Sequence, residues 1–355
     1  MIDWTNHLAY AGACFGSNSS YPSVDFGTLH ADVNILIQSA VAVPLLHLGL
    51  ICATGEDAGA FLHKLLSNDV AGLAANAVQW TSFNTAQGRM LANFLLWRDG
   101  NGLCLAASAD LLSALLKKLS LYILRAKVRL SLPEQERVLI GLAGAKAGEH
   151  LTRAALPVPK ANMRQAVSAG QRVIRLNEGL FILDLPAAQA PAAFDSLRQA
   201  GITASGTASW QLASIRAGLP LITAATQETF VAQMLNFEII GGVSFTKGCY
   251  PGQEIIARTQ HLGKPKRRMF RIGLPSPAPV TGVPVGTALY SPAPESGDGQ
   301  AVGAIVNFAS LPEGGEALAV IRTECVCVGD EIHIGASDGP CIQVLGLPYE
   351  VPGIR

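Results

Sequence analysis

Lys247-Gly248-Cys249-Tyr250-Pro251-Gly252-Gln253-Glu254 is the stretch on which the reading of this chain turns. None of these residue types at this density is needed to make a helix or a strand. Two glycines and a proline within eight residues mark backbone that turns sharply or lets another group approach closely. Lys247 stands two residues before Cys249, and a nearby ammonium favours thiolate over thiol. The stretch reads as a reactive or ligand-contacting loop. The bland alternative is a Gly/Pro turn that carries a structural cysteine.

The surroundings add to it. The chain continues Ile255-Ile256-Ala257-Arg258-Thr259-Gln260-His261-Leu262-Gly263-Lys264-Pro265-Lys266-Arg267-Arg268. It is preceded by Gln233-Met234-Leu235-Asn236-Phe237-Glu238 and by Gly241-Gly242-Val243-Ser244-Phe245-Thr246. Two further segments belong with these: Asn84-Thr85-Ala86-Gln87-Gly88-Arg89-Met90 and Ile215-Arg216-Ala217-Gly218-Leu219-Pro220. Together they resemble the YgfZ family of folate-binding proteins, relatives of the aminomethyltransferase (T-protein) of the glycine cleavage system. The resemblance runs in order from about Leu45 to the C-terminus. The first forty or so residues match nothing recognisable.

Composition sets the frame. A chain of 355 residues is long for one core, so two or three domains are expected. With 49% hydrophobic and only 15% charged residues, a well-buried globular protein is expected and a disordered one is excluded. Formal net charge is zero, which weighs against a protein that tracks nucleic acid along its whole surface. The charge is uneven. Lys247, Arg258, Lys264, Lys266, Arg267, Arg268 and Arg271 face one acid, Glu254, in that segment, so the rest of the chain is acidic. The segment is either a solvated basic linker or a patch for an anion, such as a folate glutamate tail or an RNA phosphate. No Lys or Arg precedes Lys64, so neither a secretory signal nor a transit peptide is expected. Residues 35–54 are apolar, but Gln38, Pro44 and His47 interrupt them, and two core strands are expected rather than a membrane span. Seven cysteines without repeated spacing do not make a disulfide framework, which implies a reducing, cytoplasmic setting.

Periodicity predicts an α+β chain. Thr54 and Asp57 read as a capping box ahead of an apolar helical face, Phe61, Leu62, Leu65 and Leu66. Residues 78–85 and 90–97 read as strands around a turn at Gln87-Gly88. Asp99-Gly100-Asn101-Gly102 reads as a hairpin turn into residues 103–107. A helix over 110–124 and a strand at 128–132 follow. A similar order recurs: strand 138–142, helix 147–156, hairpin 172–176 and 180–185, helix 192–199. After Arg268 the pattern becomes short β segments at 269–274, 287–290, 301–308, 317–322, 331–334 and 341–345, with a loop over 275–284. That predicts a small β-barrel. The domain division expected is an N-terminal extension (1–34), a first α+β lobe (35–137), a second lobe that ends in the cysteine loop (138–266), and a barrel (267–355). The resemblance implies that the lobes are ferredoxin-like and that the three parts form a clover leaf around a central folate-binding hole.

Among single residues, Cys249 is the candidate catalytic group. A nucleophile needs a base within reach, and His261 is nearest in sequence. A redox thiol, a ligand contact and a structural cysteine stay open beside it. Cys325 and Cys327, two apart on an expected strand, face one side; with no further ligand motif they read as ordinary cysteines, and no metal site is expected. Asn84, Gln87 and Arg89 cluster on a turn, and their amide and guanidinium groups suit a pterin edge or a carboxylate. They also suit a self-satisfied turn. Trp210 is either a core residue or a ring on which a pterin stacks, and the resemblance places it at the folate pocket. The candidate folate-binding set is completed by Lys247, Tyr250, Gln253, Glu254 and Arg258.

The resemblance implies tetrahydrofolate or a one-carbon derivative as ligand. It also implies support of iron–sulfur protein assembly or repair, with iron–sulfur proteins or their assembly factors as partners and an indirect effect on tRNA modification. Direct tRNA contact is not expected. One departure matters. Glycine-cleavage aminomethyltransferases carry an acidic pair after the glycine turn, and aligning Gly88 puts Ala92 and Asn93 there. Neither is a carboxylate base, so that chemistry is not expected. A folate-dependent one-carbon transferase and an RNA-binding module stand as the other readings.

Overall fold

Six of the seven residues in the strand Arg137–Ala143 are buried, which requires cover on both faces. It lies inside a six-stranded sheet, between Leu180–Pro186 and Val41–Pro44, antiparallel to both. Beyond Leu180–Pro186 the sheet continues through Gln171–Arg175 to Arg164–Ser168. Beyond Val41–Pro44 it ends in Thr203–Ala204, which pairs parallel. The computed structural model describes residues 2–16, 22–27, 29–100, 102–263, 265–275, 283–291, 299–311, 313–329 and 331–353.

The chain forms two compact units. The first takes residues 1–63, 70–79 and 94–213, and the second takes 64–69, 80–93 and 214–355. In the first unit, helix Ala190–Gln199 supplies Phe194 and Leu197 to the core, and helix Ala147–Arg153 supplies Leu151. Some of the residues that precede Leu45 are part of that core. Trp4 and Leu8 on helix Ile2–Tyr10, and Val24 on strand Ser23–Asp25, are buried in it. The Trp4 ring meets Phe194 edge-on at 5.6 Å. A second sheet has the order Val78–Asn84, Met90–Asp99, Gly102–Ser108, Leu48–Thr54, Arg129–Ser131. The unit boundary passes along the first two of these strands.

An ionic cluster lies inside the first unit. Arg137 reaches Asp99 at 2.6 Å and also binds Asp184, and Arg172 reaches Asp99 at 2.5 Å. Burial works to raise the Asp99 carboxyl, but the hydrogen bond from Arg137 and the charge of Arg172 outweigh it and hold it below its usual range.

The second unit carries a six-stranded antiparallel sheet in the order His333–Ile334, Ala288–Tyr290, Ala301–Leu311, Gly314–Arg322, Arg267–Leu274, Gln343–Leu345. It curls into a half-barrel. His333 on one edge strand forms a bridge with Cys341, two residues before the other edge strand. Phe270, Ile272, Ile305, Ala319 and Ile321 fill the interior. No helix among the described residues is long and apolar enough to cross a membrane.

The structure corrects several local expectations. Residues 35–38 end helix Leu29–Gln38, so residues 35–54 hold a helix end and two strands. Thr54 closes a strand and does not cap a helix: the helix is Ala58–Leu65, and the Asp57 carboxylate accepts from the Lys127 backbone N–H at 2.8 Å. The helix expected over 110–124 is a 3₁₀ turn, Ala109–Leu111, and a helix, Leu112–Ser120. Cys325 and Cys327 lie on the short helix Thr323–Val328, where a spacing of two turns them apart: Cys325 is buried and Cys327 exposed. Asn101 and most of the loop at 275–284 lie outside the described residues.

Candidate functional site

Asn84 ends its strand, and the next residues close a tight turn. Thr85 donates its N–H to the Arg89 carbonyl at 2.8 Å, and Gly88 donates to the Thr85 carbonyl at 3.0 Å. Gly88 has φ +74, a conformation that costs glycine little. Gly252, with φ +79, lies against this turn. A Cβ at 252 would come within 2.6 Å of both the Gly88 Cα and the Thr85 carbonyl oxygen. Both motif segments are in the second unit, and they meet glycine to glycine. Immediately after, helix Gln253–Leu262 begins with Gly252 as its N-cap. Gln233 holds that helix from the side, donating Nε2 to the Ile256 carbonyl at 2.8 Å.

Ahead of Gly252, Lys247 runs inward. It is 9% exposed, donates Nζ to the Leu66 carbonyl at 2.6 Å, and sits 4.9 Å from the Tyr250 ring centroid. Burial lowers its pKa to about 8, with the charge of Asp69 opposing. Burial pushes the Tyr250 phenol up to about 12. Between these two buried residues, Gly248 and Cys249 are exposed. The loop is thus pinned at Lys247, Tyr250 and Gly252 and presents its thiol outward. Cys249 and His261 make no hydrogen bond; the His261 ring instead meets Phe245 at 6.1 Å, near-perpendicular.

The other candidates separate. Asn84 is 2% exposed, and its Oδ1 and Nδ2 have no hydrogen-bond partner among the described residues. A buried amide left so is costly unless something else pairs with it. Gln87 and Arg89 are exposed, and Arg89 donates to the Thr229 carbonyl. Gln253 is half-buried, whereas Glu254 and Arg258 are exposed on the motif helix. Trp210 belongs to the first unit, on helix Thr207–Arg216. It is 4% exposed and packs on Gly141, where a Cβ would come within 2.4 Å of its ring.

The basic segment is not a continuous surface. Arg268 is buried and donates to the Gln233 carbonyl at 2.9 Å and to Glu238. Burial raises the Glu238 carboxyl in spite of that arginine. Arg258, Lys266 and Arg267 are exposed, and Lys264 lies outside the described residues.

Two roles escaped the sequence reading. Asn93 is buried, donates Nδ2 to the Pro220 carbonyl at 2.8 Å and accepts at Oδ1 from the Ile222 N–H at 2.8 Å. An amide is required for that pair of bonds, because a carboxylate has no proton for Pro220. Asn236 adopts φ +53 and donates to the Met269 carbonyl at 2.8 Å, which fixes the start of the half-barrel. The available signal was a polar residue inside an apolar run, at Ala92-Asn93-Phe94 and Leu235-Asn236-Phe237.

No family model matches the chain. It is 31% identical over 224 residues to the tRNA-modifying protein YgfZ of Shigella boydii serotype 18, a match that covers 62% of this chain and 68% of that protein. The tRNA-modifying protein YgfZ of Escherichia coli strain SE11 matches to the same extent. Among solved structures, the glycine cleavage system aminomethyltransferase T of Bartonella henselae superposes with a TM-score of 0.80 over 98% of this chain and 97% of that one. At 20% identity that likeness establishes the fold. The sequence match extends across two thirds of its relatives' length, and on it the chain belongs to the YgfZ family.

Proposed function

We propose that the chain binds tetrahydrofolate or a one-carbon derivative and supports assembly or repair of iron–sulfur proteins, and through them tRNA modification. The observation that carries the folate part is Asn84. Its amide is buried without partners at the end of the strand whose turn packs on Gly252. An amide offers a donor and an acceptor side by side, the complement of the lactam edge of a pterin. The names of the YgfZ relatives support the tRNA-modification context. The aminomethyltransferase fold supports a folate ligand.

In this reading Asn84 pairs with the pterin, and Gln87, Arg89, Gln253, Glu254 and Arg258 offer polar groups to the rest of the ligand. Lys247 and Tyr250 hold the loop, and Trp210 adds a ring. The clover leaf of two lobes and a barrel around the ligand, iron–sulfur partners and a cytoplasmic location are parts of the same proposal. Cys249 is the exposed thiol that the loop presents. A one-carbon transferase is disfavoured: Asn93 spends its amide on Pro220 and Ile222, and Ala92 carries no functional group.

Calorimetric titration with tetrahydrofolate and its formyl and methylene forms tests the ligand. One form is expected to bind, and Asn84→Ala to weaken it by about 1–3 kcal/mol, the cost of an unpaired group on the ligand. No heat with any form, or equal affinity in folded Asn84→Ala, would refute the assignment.

A further inference from the structure

The seven cysteines do not pair by spacing, but two pair by register. Cys52 on strand Leu48–Thr54 and Cys104 on strand Gly102–Ser108 stand directly opposite one another in the antiparallel ladder. Their sulfur atoms are 2.7 Å apart and share a hydrogen bond, and both thiols are free. Opposed residues in such a ladder have Cα atoms about 4.5 or 5.5 Å apart, and a disulfide takes about 4.4–6.8 Å. The bond can therefore close without moving either strand. The two thiols differ in access: Cys52 is half-buried and Cys104 is buried.

We propose that Cys52 and Cys104 are a redox-active dithiol that reduces hydroperoxides and closes a cross-strand disulfide. Cys52, the reachable member, attacks. Its thiolate attacks the distal oxygen of a hydroperoxide, an S–O bond forms as the O–O bond breaks, and the alkoxide or hydroxide leaves and takes up the proton that Cys52 gave up, with Cys52 as a sulfenic acid. The Cys104 thiol then attacks the Cys52 sulfur, the S–O bond breaks and water leaves with the proton. Two thiols lose two electrons, and one peroxide gains them. The surroundings assist the first step. The hydrogen bond from Cys104 and then the charge of Arg137 hold the Cys52 thiol below its usual range against the effect of burial, and that same bond and burial push Cys104 up. Negative charge is thus directed to the accessible sulfur, and the proton to the resolving one. The Cys104 sulfur also lies 3.7 Å from the Asp99 carboxylate, a member of the Arg137–Asp184 cluster, so the disulfide would close beside that cluster. The inference is independent of the folate reading, because it rests on neither Cys249 nor the turn at Gly88.

The test uses the full-length reduced protein and one equivalent of hydrogen peroxide. Free thiols are alkylated, the protein is digested without reductant, and the peptides are mapped by mass spectrometry. The expected product is a Cys52–Cys104 cross-linked peptide lacking two hydrogens. Cys52 should be consumed at least tenfold faster than the exposed Cys14, Cys327 and Cys341. In Cys104→Ala, dimedone should trap a sulfenic acid at Cys52; in Cys52→Ala, Cys104 should stay reduced. Wild type in which Cys52 reacts no faster than Cys14 and Cys341, or in which no linked peptide forms, overturns the proposal even if the variants fail to fold.

Discussion

Gly252→Ala isolates the contact that joins the two motif segments. Two costs add. At φ +79 a residue with a Cβ sits in the left-handed region, which costs about 1–2 kcal/mol. The new methyl would also stand 2.6 Å from the Gly88 Cα and the Thr85 oxygen. Both are backbone atoms, so relief requires the turn or the helix start to shift, an overpacking cost of about 1–3 kcal/mol. The sum is about 2–5 kcal/mol, a large share of the stability of an ordinary domain. Gly248→Ala is the internal control. A Cβ there meets nothing within 4 Å, and its φ is not positive, so its effect should stay within about 0.5 kcal/mol. Urea unfolding of the wild type and both variants measures the difference, with the slope compared to check that the transition is of the same kind. Folate titration of Gly252→Ala under conditions where it is folded should show weaker binding, because the turn that follows Asn84 has moved. Equal midpoints for the two alanine variants would refute the glycine-to-glycine argument and leave the loop a local turn.

Three further outcomes follow from single buried groups. Asn93→Asp removes the donor to Pro220 and sets a carboxylate against its carbonyl, so thermal unfolding should show a loss of about 2–4 kcal/mol and no gain of aminomethyl transfer; an unchanged melting temperature would remove Asn93 as a clamp. Trp210→Ala empties the space over Gly141 and should cost about 3–5 kcal/mol in denaturant unfolding, while folate titration of the folded variant decides whether its ring also serves the ligand. His47 is buried and its pKa falls to about 4 through burial, whereas an unfolded chain takes that proton near 6.5. Between those values the unfolded state binds more protons, so stability should be full above 6.5 and decline as pH falls toward 4, by about 3 kcal/mol in all. Urea midpoints against pH should show that decline in the wild type and lose most of it in His47→Asn; identical slopes would place the acid sensitivity elsewhere.

What was legible in the sequence is what depends on local chemistry or on period. Hairpins at 171–186 and the short strands after Arg268 announced themselves by alternation and by turn residues. The glycines of the motif declared that something approaches closely, but not what: that Gly252 faces Gly88 depends on residues 164 positions away. The same limit hid the first residues. Trp4, Leu8 and Val24 look unattached in sequence because the core they join is built from residues far along the chain, Phe194 among them, and burial is a property of the whole set. It also misled on charge. Counting put Lys247 and Arg268 in one basic segment, yet each is buried and spends its donors on carbonyls of other segments, Leu66 and Gln233. Composition counts a lysine as surface because burying an ammonium is costly; it cannot register that a carbonyl waits for it.

The distinction bears on how the motif should be understood. Of its eight residues, Lys247, Tyr250 and Gly252 are engaged in holding the loop on Leu66 and on the turn at Gly88, and each would be required whether or not anything binds. Cys249 and Glu254 are exposed, and the fold makes no comparable demand on them. Substitutions at the first three should therefore lower stability and function together, whereas Cys249→Ser and Glu254→Gln should leave the unfolding midpoint in place. Any loss of iron–sulfur enzyme support in those two variants then reports on chemistry at the loop, and full support would confine the role of the motif to its backbone.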